Sequence, residues 1–170
     1  MPHISLRPVT AQDQDFLLEV FIVSHPEYQM LPLPEDQKRQ LIAMQHQLQS
    51  GDYRSRYPES THDIIDVDGQ AVGRIWVERN EQHINVLDIG LMPGTRDQGV
   101  GTWVIDRVKA EATAAGKPIV SVVQRVNAGS VRWQIRMGFH VNGEDDLNYF
   151  MEWRPEPPEI LPFVEGTPSF

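Results

Sequence analysis

The sequence predicts an α/β domain, of the α+β kind in which helices flank one mixed sheet, and three stretches carry that prediction. Asp63–Val67 and Val72–Val77 are strand-like runs separated by Asp68-Gly69-Gln70, and an Asp-Gly pair between such runs is a strong hairpin signal. His83–Met92 follows the turn at Asn80-Glu81 and extends the hairpin into an antiparallel meander. A glycine-bearing loop then feeds a helical pattern, and Ile119–Val123 returns as an apolar run that suits a strand covered on both faces. A strand–helix–strand connection of this length requires parallel pairing with a right-handed crossover, so the sheet is mixed.

Bulk properties bound the rest. A chain of 170 residues with 40% apolar content buries one good core, so residues 1–154 read as a single domain and 155–170 as a tail. The absence of cysteine removes disulfides, thiolate metal sites and a cysteine nucleophile, and no metal is expected. No apolar run marks a signal peptide or a membrane span, which makes the cytoplasm the default compartment. The formal charge of -9 repels nucleic-acid backbones and anionic lipid, whereas a cationic or amine substrate is easier to attract.

Each element has a local reason. His3–Val9 alternates, with Ile4, Leu6 and Pro8 set against polar neighbours, and reads as an opening strand. Thr10 offers an N-cap with Asp13 as a partial capping box, and Phe16, Leu17, Val20, Phe21 and Val23 give a first helix its apolar face until Pro26 disfavours helix at His25. Pro34-Glu35-Asp36 opens a second helix, with Leu41, Ile42, Met44 and Leu48 as its buried stripe and Gly51 at its end. Asp52–His62 then reads as a loop whose Tyr53-Arg54-Ser55-Arg56-Tyr57-Pro58 serves either as a substrate lip or as a surface connection with aromatic anchors. Gly73, inside a strand, implies a bulge or a close contact.

Pro93 ends the meander, and Gly99 and Gly101 remove side chains where the backbone turns and comes close to something. The next helix, patterned by Val104, Ile105, Val108 and Ala112 and closed by Gly116-Lys117-Pro118, opens with unpaired N–H groups and a positive dipole end. That is a ready site for a phosphate or diphosphate, and Arg96 adds a cation beside it. A P-loop does not fit, because no Lys-Ser or Lys-Thr follows Gly101, and the third glycine of the dinucleotide spacing is missing. Asn127 suits an N-cap and Gly138 a C′ residue, and Phe139–Val141 with Leu147–Trp153 forms a closing hairpin around Asn142–Asp146. The tail's five prolines predict an extended segment outside the core, while Ile160, Leu161, Phe163 and Val164 suit packing along its own domain or a second subunit.

With Arg96-x-x-Gly99-x-Gly101 directly after a strand ending in Leu91-Met92-Pro93, the chain resembles the GNAT superfamily of acetyl-CoA-dependent N-acetyltransferases. A second segment, Asn127-Ala128-Gly129-Ser130-Val131-Arg132-Trp133-Gln134-Ile135-Arg136-Met137-Gly138-Phe139, resembles that family's Asn-x-x-Ala-x-x-Leu-Tyr-x-x-Leu/Met-Gly-Phe-type helix and strand. The resemblance implies a GNAT-like fold: a mostly antiparallel twisted sheet of about seven strands whose parallel fourth and fifth strands splay around the pantetheine arm. It implies that Arg96, Asp97, Gln98, Gly99, Val100, Gly101 and Thr102 wrap the diphosphate of acetyl-CoA. Leu91 and Met92 would take the arm's amides as an added strand does, with Asn127 and Ser130 on the helix beside the thioester. It also implies that acetyl-CoA is the acyl donor to a primary amine by direct attack, in a monomer or a homodimer.

In that chemistry an N–H near Leu91 or Met92 steadies the oxyanion, and a base on the fourth strand takes a proton from the amine. The strand offers His83, toward its start, and Asp88, which would act through a water relay. Odd and even residues face opposite sides, so at most one of the two faces the acceptor unless a bulge intervenes. Gln134 stands where the family's tyrosine sits over the leaving thiolate, and a glutamine donates a hydrogen bond but gives up no proton at useful pH. That departure leaves open a coenzyme A-binding module without catalysis.

Overall fold

The computed structural model describes residues 2–96 and 98–156, so Asp97 and all of the tail beyond Glu156 lie outside the described residues. The capping box forms as the sequence predicts: Thr10 accepts from the Gln12 N–H, and the Asp13 carboxylate accepts from the Thr10 N–H. Arg7, on β1 (Ile4–Pro8), donates twice to Asp13 at 2.9 Å and once to Asp66 at 3.1 Å. Those Arg7 bonds hold the Asp13 carboxyl well below the usual carboxylate range. Helix α1 (Gln14–Ser24) follows and stops just before Pro26.

Helix α2 (Glu35–Arg56) departs from the prediction twice. It runs straight through Gly51 for more than a further turn, so the stretch from Tyr53 to Arg56 is helix rather than loop. Its buried face consists of Lys38, Ile42, His46 and Ser50, while Met44 and Leu48 are 52% and 61% exposed. The helix is rotated relative to its apolar stripe because what it covers is polar.

Strands β2 (Thr61–Val67), β3 (Gln70–Arg79) and β4 (Ile84–Leu91) form the meander. The first hairpin closes through Asp68 at φ 51° and Gly69 at φ 81°, the paired positive φ values that favour Asp-Gly. Two extra residues interrupt the ladders. Ile65 faces Gly73 whereas Asp66 faces Ala71, so Val72 bulges from β3. Trp76 faces Asp88 whereas Val77 faces Val86, so Leu87 bulges from β4. Gly73 also marks a close approach, since a Cβ there would sit 2.3 Å from the Gly90 carbonyl oxygen.

Helix α3 (Val100–Ala115) ends at Gly116, with φ 66° and the Lys117 N–H returning to the Ala112 carbonyl at 2.9 Å. It leads into β5 (Ile119–Gln124), which runs parallel to β4. Helix α4 (Ala128–Arg136) is capped by Asn127, whose side chain accepts from the Ser130 N–H at 3.2 Å, and the hairpin of β6 (His140–Glu144) and β7 (Asn148–Trp153) completes the sheet. The order is β1-β2-β3-β4-β5-β7-β6. Among the described residues no helix is long and apolar enough to cross a membrane.

One face of the sheet packs Ile65, Ile75, Val86 and Ile119 against Val104, Ile105 and Val108 of α3, forming the main core. The opposite face receives α1 over β3 and β4, and α2 sets His46 against Arg74 of β3 and Tyr53 against Leu87 of β4. There β5 is bare, with Val122 55% exposed, so the prediction of a strand covered on both faces fails. The run Ile119–Val123 is apolar because one face builds the core and the other lines a cavity described below.

Two of the glycines within these elements, Gly73 and Gly51, should respond oppositely to alanine. Gly73→Ala drives a Cβ into backbone and should destabilise the fold by about 3 kcal/mol. Gly51→Ala places a Cβ in open space within a helix and should stabilise it by up to about 1 kcal/mol. Urea denaturation of both variants checks the pair of signs.

Candidate active site

The parallel pairing of β4 with β5 consists of two rungs, Ile84 with Ile119 and Asn85 with Val120, after which the strands part. The main-chain groups that β4 presents to this gap follow from the β3–β4 ladder. Met92 donates its N–H to Val72 at 2.8 Å, and antiparallel alternation then turns Gly90 and Asp88 toward β3. The N–H groups of Ile89 and Leu91 therefore face the gap. Of the two residues predicted to hold the arm, Leu91 presents its main chain there, whereas Met92 is occupied by β3. Ile89 was missed by the sequence reading, which had no means to fix the register.

The upper end of the gap meets the start of α3. Gly99 adopts φ 78°, and the first intrahelical bond runs from the Trp103 N–H to the Gly99 carbonyl at 2.9 Å. The N–H groups of Val100, Gly101 and Thr102 precede that bond and point out of the helix end. No heavy atom lies within 4 Å of a Cβ built at Gly99, so this approach is open. Gly101 instead admits the Trp133 ring, 3.1 Å from where a Cβ would stand. The Val100 side chain is buried in the core, so only its main chain faces outward. Arg96 is exposed and donates to the Leu91 and Val23 carbonyls, Gln98 donates to Gly94, and the Thr102 hydroxyl contacts the Met137 sulfur. Donors, an open turn and a gap thus suit a diphosphate bearing an extended amide-containing arm.

Beneath α2 the sheet carries a polar cluster. Arg74 on β3 is 1% exposed and ion-paired with Asp88 on β4, and its Nη1 lies 3.5 Å from His46 Nε2. His62 stacks on Trp76 with ring centroids 3.9 Å apart. Tyr53 donates its hydroxyl to the carbonyl of the bulged Leu87 at 3.1 Å, and burial pushes its pKa well up, so the phenol stays protonated. The residue placed in a loop by the sequence is a clamp on the bulge.

A cavity of about 430 Å³ opens on this same face at the foot of the gap. Its walls include Tyr57 at the end of α2, Glu78, His83, Asn85, Val120 and Phe150. Of the stretch read as lip or anchor, Tyr53 anchors to the Leu87 carbonyl and Tyr57 lines the cavity. Asn80 accepts the N–H groups of Gln82 and His83 through Oδ1 at 2.8 and 2.9 Å, which turns its amide nitrogen to His83 Nε2 at 3.1 Å. That bond makes Nε2 the unprotonated ring nitrogen. Of the two predicted bases, His83 lines the cavity, whereas Asp88 is tied to Arg74. Gln134 is buried and accepts from the Ser121 hydroxyl at 2.7 Å, and Asn127 with Ser130 forms the α4 cap. Asp97 lies outside the described residues.

A model of the acetyltransferase (GNAT) family matches residues 15–139, well over half of the chain. The PaiA N-acetyltransferase of Thermoplasma acidophilum, solved in complex with coenzyme A, aligns at a TM-score of 0.67 and 16% identity over 90% of this chain and 99% of its own. An acetyltransferase of Thermus thermophilus aligns at 0.66 and 16% identity over 89% and 97%. Another, from Streptococcus agalactiae, aligns at 0.66 and 15% identity over 91% and 98%. Likeness at these identities is a likeness of fold. No curated protein matches the sequence.

Burial, followed by the Arg74 charge, pushes the pKa of His46 and of His62 down from 6.5 to about 4. Between those values the unfolded chain binds protons that the folded chain refuses, so their stabilisation is complete above pH 6.5 and is lost as pH falls toward 4. Urea midpoints should decline across that window, and less steeply in a His46→Gln/His62→Gln variant. Equal declines would contradict the assignment.

Proposed function

This chain belongs to the acetyltransferase (GNAT) family, whose acyl donor is acetyl-CoA, and we propose that it acetylates a primary amine by direct attack, without an acetylated enzyme. The observation that carries this reading is the two-sided gap between β4 and β5. The open end of α3 stands at its top, and the cavity opens at its foot on the face opposite the α3 core. Donor and acceptor then enter from different sides and meet within the sheet. Residues 1–154 form the transferase domain in this reading.

Acetyl-CoA supplies a thioester whose carbonyl carbon is attacked by the amine nitrogen, releasing the coenzyme A thiolate. The outward N–H groups of Val100, Gly101 and Thr102 hold the diphosphate, and Arg96 swings from its carbonyl contacts to add its charge. The Leu91 main chain takes an amide of the arm. Ile89, lower on the strand and nearer the cavity, directs its N–H at the carbonyl oxygen where negative charge develops. His83 stands six residues before Ile89 along the strand, roughly 20 Å in extended chain, so it takes the amine's proton at Nε2 through a chain of waters along the cavity, the bond from Asn80 giving way. Gln134 donates no proton, so the thiolate leaves unprotonated and is protonated by solvent.

The chain has no cysteine, so thiol released in an assay is coenzyme A alone. Initial rates with varied acetyl-CoA and amine should give intersecting double-reciprocal lines. His83→Gln should lower kcat by about a hundredfold, with the Kd for acetyl-CoA unchanged. Parallel lines, or thiol release that does not depend on amine, would sink the proposal.

A further inference from the structure

The walls of the cavity are chemically one-sided. Among its described lining residues Glu78 is the one carboxylate, and neither arginine nor lysine is present. Both Glu78 oxygens lie 3.2 Å from the Asn80 amide nitrogen, which steadies the carboxylate on the wall. Cations beside the cavity have other partners, including Arg56, which lies over the Tyr57 ring at 5.3 Å and pairs with Asp52 at 3.2 Å. Lys117 donates to the Asn80 carbonyl at 2.7 Å, Arg79 bonds Thr61 and Glu111, and Arg154 pairs with Glu152. The facing wall is mainly apolar: Val120, Val122 and Phe150 stand on the bare face of β5 and β7, with Phe150 40% exposed, and the amide of Asn142 at its edge is held by Glu152 at 3.1 Å.

Resting on the transferase reading, we infer that the acceptor is a primary monoamine with an apolar body and no carboxylate, an alkylamine or arylalkylamine rather than a free amino acid. The ammonium is drawn by Glu78 beside His83, and the body lies on Val120, Val122 and Phe150. A carboxylate on the acceptor meets Glu78 and finds no cation to pair with, and like charges so placed are strongly disfavoured. A second ammonium, as in a polyamine, finds no second carboxylate among the described lining residues.

Matched pairs test this on the unaltered protein: phenethylamine against phenylalanine, and isoamylamine against leucine, with phenylalaninamide as the form in which the carboxylate is masked. Thiol release should give kcat/KM for each amine on the order of a hundredfold above its amino acid, with phenylalaninamide recovering most of the difference. Glu78→Gln should raise the KM for phenethylamine about tenfold and narrow the gap between phenethylamine and phenylalanine, with Tm and the Kd for acetyl-CoA unchanged. Equal use of phenylalanine and phenethylamine, or an unchanged gap in Glu78→Gln, overturns the inference and leaves the transferase reading standing. Acetyl-CoA that binds but releases no thiol with any of these acceptors overturns the inference too. A broader amine panel then decides the parent reading, since release with some other amine would preserve it.

Discussion

The separation of β4 from β5 after two rungs is the constraint on which the rest of the structure depends. A continued ladder would join the two strands edge to edge and use every inward-facing main-chain group. Parting them leaves a row of β4 donors and acceptors with no strand opposite, which is the condition an extended ligand needs to bind as a strand would. It also makes a passage through the sheet. The helix end that suits a diphosphate stands at the top of the passage, and the cavity opens at its foot.

That passage has to be held open by something other than strand pairing. The bulge at Leu87 changes which face β4 presents, and the residues around it hold the bulge in place. Tyr53 bonds the Leu87 carbonyl, while Arg74 pairs with Asp88 one residue further on. His46 and His62 border Arg74 and remain neutral above the acid range, adding no second charge beside it. Asp88, predicted as a candidate base, is therefore held by Arg74 beside the bulge. The bulge also explains why the alternation argument for His83 and Asp88 could not decide between them, since one extra residue reverses the parity of the strand.

Much of the fold was legible because its signals were local. The Asp68-Gly69 turn, the Thr10–Asp13 box, the Asn127 cap and the glycines at 99 and 116 each satisfy a backbone requirement that a few adjacent residues reveal. The second helix was not legible in the same way. Gly51 reads as an ending because its intrinsic helix propensity is poor, but the anchorage of Tyr53 beyond it outweighs a penalty of about 1 kcal/mol. Its phase was misread for a related reason: Leu41, Ile42, Met44 and Leu48 look like a core stripe, yet of these only Ile42 is fully buried, and the surface beneath, which carries Arg74, selects His46 and Ser50 beside it. The glycine loop could be found from spacing, whereas Ile89, Glu78 and the cavity depend on register and tertiary contact.

Amide hydrogen exchange along β4 tests the gap most directly, because neighbouring residues serve as internal controls. In the ligand-free protein the amides of Ile89 and Leu91 should exchange faster than those of Asp88 and Gly90, which β3 holds. Saturating acetyl-CoA should slow Ile89 and Leu91 and leave Asp88 and Gly90 nearly unchanged. Protection of Ile89 and Leu91 already present without ligand, or no response to it, would contradict the account.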